Sequence, residues 1–268
     1  MPGQVRIPAA GRLVALLIAA GLASGLVMLV NGPWLRISSV TWAGSRYVSA
    51  SDLSPILDPF KGTSLLLVDE SSLASRLAEL PGVASASVEP RFPDGLAVQL
   101  SERTPAMLWQ TSRARLIVDA GGTVFGELPL SVAVPRELAG LPAVDDRRVA
   151  SRTLGTGDRI PDAERAAALQ LGTIDPRLAG SSATSLRVAI DDRCGYLIGP
   201  GSGGWSAALG FHGDGVSGSL DDAPTIDAQM AALRTLFAAR PERTVGWVDL
   251  RNPGKVYWRP SGSGSDTC

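Results

Sequence analysis

An uninterrupted apolar run near the amino terminus constrains this chain more than any other feature. Residues Leu13 to Val30 read LVALLIAAGLASGLVMLV, without a charged side chain. At about 1.5 Å per residue, a helix of this length measures roughly 27 Å, close to the ~30 Å hydrocarbon core of a bilayer. A helix inside a soluble domain would carry a polar face, and this run has none. The sequence therefore predicts a single membrane anchor.

A cleaved signal peptide is the main alternative to an anchor. Gly21 and Ala23 are small enough for a signal peptidase site, but the apolar run continues beyond them and exceeds the usual length of about 7 to 15 residues. The expected anchor comprises residues 13–34, behind a short cytoplasmic tail of residues 1–12. Its predicted membrane-anchoring residues are Leu13, Leu16, Leu17, Ile18, Leu22, Leu26, Val27, Leu29, Val30 and the interfacial Trp34.

Basic residues on both sides of the apolar run give only a modest indication of its orientation. Arg6 and Arg12 precede the run, whereas Arg36 and Arg46 follow soon after it. The balance favours a cytoplasmic amino terminus, with most of the chain outside the cytoplasm.

Charge and composition exclude several classes of function. The chain has 25 Lys and Arg against 26 Asp and Glu, so it lacks the basic excess that phosphate binding requires, and we expect no nucleic-acid partner. Cys194 and Cys268 form no CxxC or Cys/His cluster, which argues against a zinc or redox site. A disulfide between them would need an oxidising compartment. The Gly/Ser-rich tail before Cys268 argues against such a disulfide, because it should be mobile.

Catalytic and metal-binding motifs are also missing from the sequence. His212 is the only histidine, and no nucleophile elbow or HExxH motif accompanies it. Asp191 and Asp192 are adjacent, so on a strand their carboxylates would point to opposite faces, and we interpret them as a solvated turn. We therefore expect no catalytic residue, no metal site and no cofactor.

Residues 36–104 have the periodicity of a small mixed domain. Val40 and Trp42 alternate in a short strand, and a capping-box pattern from Ser49 to Asp52 precedes the first helix. Pro55 leaves two alternatives for that helix, a kinked one or one that begins near Ser54. The second helix is capped by Asp69, with leucines at helical spacing, and two strands follow. The predicted order is β-α-α-β-β.

Three sequence blocks in this order resemble the FtsQ/DivIB family of bacterial cell-division proteins. They read PGVASASVEPRFPDGLAVQLSERTPAMLW from Pro81, RLIVDAGGTVF from Arg115, and VDLRNPGKVYWRP from Val248. The resemblance implies an α+β protein with a single transmembrane helix, then a POTRA domain and a mostly antiparallel β domain with flanking helices. The implied β domain covers residues 105–260, and residues 261–268 form a flexible tail.

The pattern within residues 105–260 predicts strands and two helices. Ala106 to Gln110 and Arg115 to Asp119 form a candidate hairpin, and a further strand alternates through Leu186, Val188 and Ile190. The helices are expected over Asp162 to Leu171 and Ile226 to Ala239. The Gly-rich runs 199–204 and 213–218 lack the residues of a phosphate-binding loop, so we interpret them as turns.

The end of the chain contains the candidate binding site. Thr244 to Arg251 and Lys255 to Arg259 are predicted strands, and the last would be an edge strand able to accept a strand from a partner. The alternative is an ordinary terminal strand whose aromatic residues fill the core. Asp249 and Arg251 have two interpretations: they form a structural ion pair or turn bond, or they contact the partner. By the resemblance, the partner-binding residues are Asn252, Gly254, Lys255, Val256, Tyr257 and Trp258.

The resemblance implies a divisome scaffold rather than an enzyme. Such a protein would lie in the inner membrane at the division septum, bind FtsB-like and FtsL-like partners, and help recruit or regulate septal peptidoglycan synthesis. Other divisome components would dock on the POTRA domain. The alternatives are a POTRA-containing envelope factor in protein assembly or secretion, which the uncleaved anchor argues against, and a membrane-anchored hydrolase.

Overall fold

The computed structural model describes residues 9–44, 46–212, 225–263 and 268. The chain divides into two compact units, Met1–Glu102 and Arg103–Cys268. Each unit has its own hydrophobic core and its own sheet.

Helix α1, Ala9–Asn31, contains the predicted anchor segment. The large apolar side chains described along it are exposed, among them Leu17 and Leu22 at 70% each. The side chains of Leu26, Leu29 and Val30, and the predicted tail residues 1–8, lie outside the described residues. Judged by length and hydropathy together, none of the helices in the described part of the chain qualifies as a membrane span.

The first unit has the element order that the sequence predicts. After a 3-10 turn at Pro33–Leu35 come β1 (Ser39–Ala43), α2 (Ala50–Leu57), α3 (Glu70–Ala78), β2 (Val83–Arg91) and β3 (Gly95–Glu102). The strands form one sheet in the order β1-β3-β2, in which β3 pairs parallel to β1 and antiparallel to β2. Both helices bury leucines against one face of this sheet, chiefly Leu53, Leu57, Leu73 and Leu77.

Local side-chain bonds define where these two helices begin. The Ser49 N–H donates to the Asp52 carboxylate at 3.1 Å, which fixes the start of α2 at Ala50. Pro55 therefore lies inside α2, and of the two predicted alternatives the later start near Ser54 is wrong. The Asp69 carboxylate accepts the Ser72 N–H at 3.0 Å and caps α3, as predicted.

The second unit is built on a nine-stranded sheet in the order β12-β11-β10-β9-β8-β7-β4-β5-β6. Three of its strand pairs are parallel, namely β4–β7, β7–β8 and β10–β11, and the other pairs are antiparallel. The strands are β4 (Pro105–Gln110), β5 (Ala114–Asp119), β6 (Val124–Pro129), β7 (Ala143–Asp146), β8 (Leu186–Asp191), β9 (Gly195–Pro200), β10 (Ser206–Gly210), β11 (Val245–Asp249) and β12 (Tyr257–Pro260).

Two helices supply crossovers that parallel neighbours require. Helix α4, Asp162–Gly172, connects β7 to β8, and α5, Ile226–Ala239, connects β10 to β11. Both positions agree with the sequence prediction. The apolar stripe of α5 was predicted to pack against the sheet. Its residues Ile226, Met230 and Leu233 are buried in the core that the two helices share with the sheet.

One Gly-rich segment differs from its prediction. Residues 199–204 were expected to form a turn, but Gly199 and Pro200 belong to β9 and the turn begins at Gly201. A Cβ at Gly199 would lie 2.6 Å from the carbonyl oxygen of Trp205, so the absent side chain lets the neighbouring strand approach. The second run, 213–218, lies outside the described residues.

Candidate functional site

Strand β12 forms one edge of the nine-stranded sheet, at the end of the chain where the sequence placed the candidate site. Its inner side pairs antiparallel with β11, with Asp249 opposite Tyr257 and Val248 opposite Trp258. Within the described ranges, no strand pairs with its outer side. The backbone therefore presents hydrogen-bonding groups of the kind that accept an added strand.

The strand is shorter than the sequence predicted. The Lys255 N–H donates to the Asn252 carbonyl at 3.1 Å, and Gly254 between them has φ +70°, so a tight turn precedes the strand. Because this turn uses the backbone of Lys255, pairing with β11 begins only at Tyr257. The prediction that the last strand starts at Lys255 is therefore wrong. Likewise, β11 ends at Asp249 rather than Arg251.

The six predicted partner-binding residues are close in sequence but differ in exposure. Asn252, Gly254 and Lys255 are exposed in the turn. Val256 is 37% exposed and Tyr257 is 54% exposed, so an apolar side chain and an aromatic ring both face solvent at the start of the edge.

Trp258 differs from the other five because it is half-buried. It packs against the core that the helices share with the sheet, and the guanidinium carbon of Arg240 lies 5.0 Å from its ring centroid. Side chains alternate across a strand, so Tyr257 projects from the opposite face. Trp258 combines a packing role with its place on the edge, whereas Tyr257 and Val256 are the apolar contacts available to a partner.

Asp249 and Arg251 form an ion pair at the base of this hairpin. The Arg251 guanidinium donates to both carboxylate oxygens of Asp249, at 2.9 and 2.6 Å, and the Arg251 N–H donates to it at 3.1 Å. These bonds from Arg251 lower the pKa of Asp249. The pair thus has the structural role that the sequence offered as one of two interpretations.

A disulfide joins Cys194 to Cys268, contrary to the sequence prediction. Cys194 is buried in the turn between β8 and β9, in a small cluster with Ala208 and Trp247, and Cys268 packs against that cluster. The prediction treated the tail as free because its composition is Gly/Ser-rich. It could not detect that the fold brings the final residue to the β8–β9 turn.

The other titratable candidates have structural partners. The Asp191 carboxylate accepts the N–H groups of Arg193 and Cys194, and Asp192 accepts the N–H of Val149. Asp191 therefore orders the turn between β8 and β9, as predicted, whereas Asp192 connects that turn to the segment that follows β7. The His212 ring lies 6.0 Å from that of Tyr196, and burial lowers its pKa. No group of three potential metal ligands occurs in the part of the chain that the structure describes.

Comparisons with known proteins support the resemblance seen in the sequence. Residues 35–103 match the POTRA domain of FtsQ type. The chain is 28% identical over 176 residues to the cell division protein FtsQ of Mycobacteroides abscessus, an alignment of 66% of this chain and 53% of that protein. It is 28% identical over 162 residues to FtsQ of Streptomyces coelicolor, which covers 56% of this chain and 60% of that protein.

A third relative, FtsQ of Anaeromyxobacter sp., is 30% identical over 164 residues, 61% of this chain and 53% of that protein. In these three cases the matched part of the chain spans between 53 and 60% of the relative's own length. The domain model matches residues of the first unit, whose strands and helices follow one another in the order β-α-α-β-β. Residues 35–103 are therefore a POTRA domain of FtsQ type, and the chain is similar to FtsQ cell division proteins over 56 to 66% of its length.

Proposed function

We propose that this chain is a membrane-anchored scaffold of the division septum that captures an extended segment of an FtsB-like or FtsL-like partner on the outer edge of β12. The observation that carries the proposal is the position of β12 as the outermost strand, with Val256 and Tyr257 exposed beside it. The comparisons support a role in cell division. The partners and the edge are inferred here from the resemblance and the geometry.

Strand addition would use the backbone for affinity and side chains for selectivity. The Ser261 N–H donates to the Thr244 carbonyl at 2.9 Å, so it points towards β11. Backbone groups alternate in direction along a strand, and the N–H and C=O of Trp258 therefore face outwards. Pro260 has no N–H, which limits the donors at the far end of the edge. We expect a short incoming strand centred near Trp258.

Side chains next to the edge would select the partner. Val256 and Tyr257 offer exposed apolar surface at its start. Aromatic side chains in partly buried positions contribute much of the energy of protein interfaces. An incoming segment with apolar residues on alternate positions would cover Tyr257 and pair its backbone with β12 in one step.

The amino-terminal helix would hold this edge at the cell membrane. Its described apolar side chains are exposed all along α1, as expected of a helix whose surroundings are lipid. In the proposed arrangement residues 1–12 are cytoplasmic, both folded units are outside the cytoplasm, and the scaffold helps to recruit or regulate septal peptidoglycan synthesis without a cofactor or catalytic step of its own.

The first unit offers a second docking surface for other divisome components. A shallow groove of about 380 Å³ lies on the sheet face away from the helices. Trp42, which is 39% exposed, lines it together with Gln99 and the charged pair Glu89 and Arg91. This mixture of an aromatic ring with charged groups is typical of a polar, transient interface.

A binding assay tests the proposed edge directly. Full-length protein in detergent would be titrated with purified FtsB-like and FtsL-like ectodomains, as wild type, Val256→Ala and Tyr257→Ala. Leu178→Ala is the matched control, since Leu178 is 55% exposed far from the edge in sequence. We expect Tyr257→Ala to weaken binding about tenfold, the effect of removing a moderate hot spot. Unchanged binding in both edge variants, with circular dichroism intact, would refute the edge as the binding site.

A further inference from the structure

Four large apolar side chains of the first unit are exposed at one end of it. We name them the apolar rim: Trp34 at 82%, Leu66 at 45%, Leu67 at 69% and Phe92 at 65% exposure. Single exposed apolar residues are common on soluble proteins and need no explanation. The rim differs because three separate segments bring its members to the same place.

The segment that contains Leu66 and Leu67 lies beside the chain that leaves α1. Arg36 forms an antiparallel bridge with Ser64, and the Ile37 N–H donates to the Thr63 carbonyl at 2.9 Å. A 3-10 turn, Leu65–Leu67, follows directly. Within that turn Leu65 is buried in the core, whereas Leu66 and Leu67 face outwards. The turn therefore presents two leucines next to residues 36 and 37.

The turn between β2 and β3 reaches the same end of the unit. The N–H groups of Ser38 and Ser39 both donate to the Asp94 carbonyl, at 2.9 and 3.4 Å. Phe92 precedes Asp94 by two residues in this turn. Since β1 and β3 run parallel, the start of β1 and the turn before β3 lie at one end of the sheet. Phe92 thus belongs to the end at which the chain enters from α1.

Chain connectivity limits the distance between the rim and the end of α1. The helix ends at Asn31, five residues before Arg36. Five residues span at most about 17 Å even when fully extended. The nearby basic residues do not make this end strongly positive, because Lys61 pairs with Asp58 at 2.7 Å and Arg91 with Glu89 at 3.6 Å. A surface in contact here would be held by apolar side chains more than by charge.

We propose that the apolar rim rests in the interfacial layer of the membrane that holds α1, and so fixes the orientation of the first unit on the bilayer. This inference depends on the anchoring part of the proposed function. Tryptophan favours the membrane interface, and apolar residues of interfacial segments lie about 5 to 10 Å into the boundary between headgroups and acyl chains. The rim offers one tryptophan, two leucines and a phenylalanine at that level.

Site-specific labels on the full chain test the rim. Both native cysteines are bonded to each other, so Leu67→Cys, Phe92→Cys and Leu178→Cys each supply one free thiol for an environment-sensitive fluorophore. The labelled proteins would be reconstituted in vesicles of phosphatidylcholine and phosphatidylglycerol. We expect blue-shifted emission at positions 67 and 92, quenching by lipids with a nitroxide near the headgroup, and protection from aqueous iodide. The label at 178 should be quenched by iodide alone.

Flotation of the same vesicles separates this inference from the anchoring. If the protein floats with the vesicles but the labels at 67 and 92 respond like the label at 178, the rim is refuted and the anchor stands. If the protein does not float, both are refuted. Protection from iodide without quenching by nitroxide lipids would also refute the proposal, because it would mean that protein, such as a second copy, covers the rim.

Discussion

Trp109 donates its buried indole N–H to the carboxylate of Asp146 over 2.9 Å. Asp146 is 1% exposed, and it also accepts bonds from the backbone and guanidinium of Arg148. Arg148 in turn donates to both oxygens of Glu164, at 3.0 and 2.7 Å. Burial opposes the charge of Arg148, but its bonds with Asp146 and Glu164 outweigh that effect and raise its pKa. This network connects β4, β7 and α4.

Removal of the Asp146 carboxylate should strongly destabilise the second unit. Asp146→Ala leaves the buried indole N–H of Trp109 without its acceptor and the largely buried guanidinium of Arg148 with Glu164 alone, and we expect a loss of about 3 to 5 kcal/mol in the free energy of unfolding. Urea unfolding followed by circular dichroism measures it. The matched control is Asp145→Ala, whose carboxylate pairs with the half-exposed Arg147 and should contribute no more than about 1 kcal/mol. Equal losses in the two variants would contradict the role of the network.

Stability should fall in acid because Glu242 loses its charge. Burial by itself would raise the pKa of Glu242. The hydrogen bonds that its carboxylate accepts from Ser181, Ser182 and Trp205 have the larger combined effect and lower the pKa from an ordinary 4.5 to about 2. A carboxyl whose pKa is lower in the folded state contributes its stabilisation in full above pH 4.5 and loses it as the pH falls towards 2.

The difference in melting temperature between wild type and Glu242→Gln, measured from pH 6 to pH 2, separates the contribution of Glu242 from that of the other carboxylates. We expect the difference between the two proteins to be largest near pH 6 and to shrink below pH 4.5. A difference that stays constant over this range would show that the charge of Glu242 is not what the four donors stabilise.

Reduction of the disulfide should destabilise the second unit. The bond closes a loop with a sequence separation of 74, and it restricts the unfolded chain accordingly. We expect a loss of about 2 to 4 kcal/mol on reduction, measured by urea unfolding with and without a reductant. Cys268→Ser is the control, since it should unfold like the reduced wild type and should not respond to reductant. An unchanged wild-type midpoint after complete reduction would contradict this expectation.

Sequence reasoning worked where short-range chemistry determines the structure. The caps at Ser49 and Asp69 and the stripe on α5 depend on residues within a few positions of each other, and the structure has them as expected. The three parallel pairs of the large sheet depend on contacts between distant segments, so no local pattern indicates them.

The same distinction applies to the candidate site. The sequence pattern predicted a last strand near residues 255–259, but its first paired residue depends on the bond between Lys255 and Asn252, which a sequence pattern does not specify. The disulfide and the four donors around Glu242 join residues between 37 and 74 positions apart, so only the folded chain shows them.

The two aromatic residues of β12 should separate stability from binding. Trp258 packs on the core and under Arg240, so Trp258→Ala should lower the free energy of unfolding by about 2 kcal/mol, roughly half the usual cost for a fully buried tryptophan. Tyr257→Ala should leave it within about 0.5 kcal/mol, because the ring is largely in solvent. Both variants should bind the FtsB-like and FtsL-like ectodomains more weakly.

Parallel urea unfolding and binding titrations on the same preparations distinguish these effects. A deletion from Lys255 onwards is less informative, since it removes Trp258 and the disulfide together. If Tyr257→Ala binds like wild type while Trp258→Ala loses both stability and binding, the loss arises from a disturbed sheet, and the terminal strand is then an ordinary structural strand. If Tyr257→Ala loses binding at full stability, the exposed side of β12 itself contacts the partner, because no change in the core accompanies the loss.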